Sequence, residues 1–100
     1  MEAIWFRKDE AGFAGWCEAH TNGFVVNARY KPAREYLVLD KVGCLTFRDR
    51  SGLTGPQYSK LCSDSIDQLL VEIRREVDAR GFSKICQKCS PLTTGTRVKI

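Results

Sequence analysis

One hundred residues with 43% apolar content make room for one domain around a modest core and leave none for a second. Sixteen Lys and Arg against twelve Asp and Glu give a formal charge of +4, which favours contact with polyanions without requiring it. No apolar run approaches the roughly 18 residues of a membrane span. The opening stretch MEAIWFRKDEAGF has neither a continuous apolar segment nor a small-residue cleavage site, so a cytoplasmic protein with no membrane partner is expected.

In chain order, residues 10–20 place Phe13, Ala14, Trp16 and Cys17 on one face of a short helix that Gly12 and Gly15 weaken. Asn22-Gly23 marks a turn, and residues 24–30, aromatic and β-branched, read as a strand. A basic loop containing Pro32 leads to a second strand at 36–39, and the pair suggests an antiparallel hairpin. Residues 49–57, with two glycines and a proline, form a loop, and the alternation at 58–62 supplies a third strand. The best-defined element is a helix over 65–80, where Ile66, Leu69, Leu70, Ile73 and Val77 repeat at helical spacing. Asp64 or Ser65 can cap its amino end, Ser65 with Gln68 forms a capping-box pattern, and Gly81 is placed to stop the helix. The expected fold is α+β: a small antiparallel sheet of about three strands packed against one long and one short helix, closed by a cysteine knuckle. The domain covers 1–91, and 92–100 is expected to be a loosely held tail.

Five cysteines, an odd number, read in a reducing compartment as metal ligands and buried thiols rather than a disulfide framework. Cys86-Gln87-Lys88-Cys89 has the C-x2-C spacing at which two thiolates share one tetrahedral zinc. Upstream donors must complete the set. Cys44 is the third ligand, and Asp40 and Cys62 compete for the fourth. The role expected for this zinc is structural, since a catalytic site needs an open position and a neighbouring base. His20, the only histidine, reads as structural, and no third group orients a Cys17–His20 pair. No catalytic residue is assigned.

The run from Tyr36 through Asp40 to Cys44, then a long amphipathic helix, then Gly81-Phe82 leading to Cys86, Cys89 and Pro91, resembles a recurring small zinc module. The zinc-binding amino-terminal domain of the bacterial alkylation-repair Ada-type proteins has similar ligand spacing, and related modules accompany DNA-acting proteins. The resemblance spans roughly residues 36–91 and implies zinc and a DNA partner. The sequence departs from that pattern in carrying Asp40 where the module has His or Cys, and in a longer gap between Cys44 and Cys86. Methyl-phosphotriester repair is not implied, because nothing marks a ligand thiolate as an activated nucleophile.

For a nucleic-acid partner the useful groups are cations for phosphates and rings or polar side chains for bases. Asn27, Arg29, Tyr30, Lys31 and Arg34 cluster around the hairpin, and Arg48 and Arg50 follow Cys44 closely. Strand alternation puts Asn27 and Arg29 on one face and Val26 and Ala28 on the other, while Trp5, Trp16 and Phe24 are expected in the core. The function expected is a non-catalytic nucleic-acid-binding module stabilised by zinc, with DNA preferred over RNA. The alternative is a small regulator that docks on a protein partner, which requires an exposed apolar patch.

Overall fold

Among the described residues seven elements follow in chain order: β1 (Ile4–Phe6), α1 (Glu10–Ala19), β2 (Phe24–Arg29), β3 (Leu37–Lys41), β4 (Tyr58–Ser63), α2 (Ile66–Val77) and β5 (Lys84–Ile85). The structure, a computed structural model, describes residues 2–43, 54 and 57–86. Cys44, Arg48, Arg50, Cys89 and the expected tail at 92–100 lie outside these described residues.

The strands form one sheet in the order β1-β4-β2-β3-β5. All neighbours are antiparallel except β3 and β5, which run parallel. This corrects the expected three-stranded antiparallel sheet closed by a cysteine knuckle. The sheet has five strands and is mixed, and among the described residues no group of three or more His, Cys, Asp or Glu side chains could hold a metal ion. The two extra strands have three and two residues. That is too short for alternation to declare itself, and each becomes a strand only by pairing with a neighbour that the tertiary fold supplies.

Strand alternation gives the sheet two differently covered faces. On one, Val26, Ala28, Leu37, Leu39 and Leu61 pack with Leu69 and Ile73 of α2 and with Ala79 and Phe82. On the other, Val25 and Cys62 pack with Phe6 and with Phe13 of α1. Trp5 and Phe24 are half-buried against the first cluster and Trp16 against the second, so all three rings contribute to the core.

Both helices begin where local chemistry puts them. Ser65 Oγ accepts from the Gln68 amide at 3.3 Å, as the capping box requires. Asp9 Oδ1 accepts from the Gly12 amide at 2.9 Å, and a Cβ at Gly12 would overlap that carboxylate. The end of α2 differs from expectation. Asp78 takes the left-handed conformation (φ 57°, ψ 36°) and ends the helix there, ahead of Gly81. Asp is one of the few side chains that tolerate this region. No described helix is long and apolar enough to cross a membrane.

Candidate nucleic-acid interface

The end of the sheet where β1 and β2 finish and β4 begins collects cations and rings from segments far apart in sequence. Arg29, the last residue of β2, is exposed and paired across the ladder with Tyr58, the first residue of β4. Its guanidinium lies 5.0 Å from the centre of the Tyr36 ring, and Tyr36 and Tyr58 stand 6.0 Å apart at 45°. Arg7, just beyond β1, donates from Nε to the Tyr30 carbonyl at 3.3 Å and covers the Trp5 ring at 4.5 Å. Lys8 lies 5.5 Å from the Tyr30 ring centre and has a positive φ of 50°. Lys31 and Arg34, in the β2–β3 connection, are exposed. Among the described residues, no ion pair joins Arg7, Lys8, Arg29, Lys31 or Arg34 to a carboxylate. Glu35 is the single acid in that connection.

Beneath this surface lies a polar centre. Lys60 is only 2% exposed, in the middle of β4. Its Nζ donates to Asn27 Oδ1 at 2.7 Å and stands 5.7 Å from the Tyr58 ring centre. Burial lowers its pKa from the ordinary 10.5 to about 8, against the opposing influence of Glu10, Asp40 and Cys62. Asn27 uses its other end as well, donating from Nδ2 to the Tyr36 hydroxyl at 3.2 Å. Burial, followed by Tyr58, raises the Tyr36 pKa, and Arg29 partly offsets this. The hydroxyl therefore stays neutral and keeps its proton. With both ends engaged, Asn27 has little left for reading bases. It organises Lys60 beneath the surface and Tyr36 within it.

Of the residues expected to bind nucleic acid, the structure brings Arg29, Tyr30, Lys31 and Arg34 to one end of the sheet with Asn27 beneath them, while Arg48 and Arg50 lie outside the described residues. Sequence reasoning missed Arg7, Lys8, Trp5, Tyr36 and Tyr58 as members. Arg7 and Lys8 stand out as a basic pair, but nothing local shows that β1 runs alongside β4 and delivers them next to Tyr30.

The expected metal ligands fare differently. Cys62 is fully buried among Phe6, Phe13 and Val25, and burial, followed by the nearby Cys17 thiol, pushes its own thiol far up. In this fold Cys62 packs as a small apolar side chain. Cys17 is likewise raised by burial. Cys62 and Asp40 both pair with Val25, from opposite sides of β2, which sets their Cα atoms roughly 10 Å apart. Cys86 follows β5, one strand beyond Asp40, and its amide donates to the Leu39 carbonyl at 2.9 Å. Its Cα therefore stands roughly 14 Å from that of Cys62. Asp40 on β3 and Cys86 just after the neighbouring β5, both buried, are the described residues of the expected set that lie side by side. Cys44 and Cys89 lie outside the described residues.

Comparison with protein-family models, with curated proteins and with solved structures finds no match for this chain.

Proposed function

We propose that the chain binds nucleic acid through the basic and aromatic end of its sheet, with DNA as the first polymer to test. One observation carries this reading. Five cations, Arg7, Lys8, Arg29, Lys31 and Arg34, share one end of the sheet with the rings of Tyr30, Tyr36 and Tyr58, and none is paired with a carboxylate among the described residues. Unpaired cations release counterions when they meet phosphates, and neighbouring rings offer stacking surfaces to bases. The protein-partner reading asks for an apolar patch. Among the described residues the exposed large hydrophobics are Ile4 and Val71, on different elements.

Binding of labelled single- and double-stranded DNA, followed by fluorescence anisotropy between 50 and 200 mM salt (roughly the range over which phosphate contacts are lost), tests the proposal. Engagement of about four of the five cations implies a log–log slope of roughly −3 to −4. Absence of binding at the low-salt end, or affinity indifferent to salt, would refute it.

A further inference from the structure

A cavity of about 240 Å³ opens at the opposite end of the sheet, between the start of β1, the end of α1 and the residue that follows β4. Glu2, Ile4, Trp16, His20 and Asp64 line it. Trp16 and His20 stand four residues apart on and just after α1, so they share a face, and their rings stack at 4.3 Å and 12°. His20 Nδ1 lies 2.7 Å from Asp64 Oδ2. An ionised carboxylate only accepts, so in the neutral imidazole the proton sits on Nδ1 and Nε2 keeps a lone pair. Gly23 makes this arrangement possible. A Cβ there would stand 2.6 Å from the indole of Trp16 and 3.1 Å from Asp64 Oδ1, displacing two walls of the cavity.

The lining has a definite chemical preference. Glu2 and Asp64 bring two carboxylates to one cavity of a chain with formal charge +4, and neither Lys nor Arg lines it. Ile4, 42% exposed, and the indole of Trp16 add apolar surface that the core does not use up. The volume falls below the roughly 300 Å³ at which drug-sized sites begin, and suits a group the size of one side chain. A guanidinium on a short aliphatic stem meets each demand. Its plane lies well against an aromatic ring, its forked N–H groups match carboxylates, and a further N–H can donate to a ring nitrogen. We propose that this cavity binds an alkylguanidinium group, the chemistry of an arginine side chain.

Ethylguanidinium titrated into ¹⁵N-labelled protein is the direct test. The indole N–H signal of Trp16 is expected to shift, while that of Trp5, which donates to Glu72 on the other side of the sheet, stays in place. Ethylurea, similar in shape and uncharged, is expected to move neither. Glu2→Gln and Asp64→Asn should each weaken binding roughly three- to tenfold. Glu2 is exposed, so its variant tests the proposal even if Asp64→Asn loosens the end of α1. Silence at Trp16 with millimolar ethylguanidinium, an equal response to ethylurea, or unchanged affinity in Glu2→Gln would each overturn the assignment. A peptide with a single arginine, titrated alongside, separates the sources. Tighter binding than ethylguanidinium assigns the site to a peptide or protein arginine, and equal or weaker binding assigns it to a small free guanidinium compound.

Discussion

Lys60→Met keeps the length of the side chain and removes its ammonium from the middle of the sheet. In the native protein that ammonium is enclosed, with burial lowering its pKa from 10.5 to about 8. At about 1.4 kcal/mol for each factor of ten, holding the charge there costs about 3 kcal/mol at neutral pH. Removing it also takes away the Asn27 hydrogen bond, a loss of about 1–2 kcal/mol that offsets part of this cost in Lys60→Met at pH 7. The pH dependence is the sharper readout. Above pH 8 the unfolded chain still binds the Lys60 proton while the native protein has released it, so stability rises with pH. Between pH 8 and 9 the native protein should gain about 1 kcal/mol that the variant does not. The buried Cys17 and Cys62 thiols act in the other direction, because their raised pKa values stabilise the fold below about pH 9 and cease to do so above it. The comparison is therefore confined to pH 7–9. Urea denaturation of both proteins at pH 7, 8 and 9 supplies the numbers. Parallel pH profiles would refute the argument, because they would mean that the ammonium is solvated in spite of its position.

The surface and the polar centre make separable predictions. Arg29→Ala should flatten the salt dependence of DNA binding by about one unit of slope, with stability unchanged within about 0.5 kcal/mol, because Arg29 is exposed. Asn27→Ala should do the reverse in denaturation, costing about 1–3 kcal/mol by depriving Lys60 and Tyr36 of a partner together. Ser65→Ala should destabilise by about 1 kcal/mol through loss of the α2 cap, with no change in DNA affinity. Zinc held by Cys44, Cys86 and Cys89 implies near-stoichiometric metal in the purified protein, lost in Cys89→Ser and retained in Cys62→Ala. Elemental analysis decides it, and metal-free folded protein would dispose of the zinc reading.

Legibility followed the range of the interactions. The periodic apolar residues of α2 show the helix in the sequence, and Ser65 and Gln68 show where it starts, because both signals lie within a few residues of one another. The alternation of Val26 and Ala28 against Asn27 and Arg29 shows which side of β2 packs against α2 and which carries the polar groups at its end. Asp78 as the stop of α2 was harder to see. Gly81 has the stronger left-handed preference, yet the chain must turn earlier for Ala79 and Phe82 to reach the core.

By itself the sequence determined the α+β class, the long amphipathic helix, the β2–β3 hairpin and the basic character of the hairpin loop. Each follows from short-range periodicity, propensity or charge. Only the tertiary structure decided that β1 and β5 exist as strands, that Arg7 and Lys8 join Tyr30 and Arg29, that Cys62 belongs to the apolar core, and that His20 meets Asp64 across 44 residues of chain. Those outcomes depend on which strand pairs with which. Pairing is settled by the burial of both sheet faces at once, and no window of neighbouring residues contains that information.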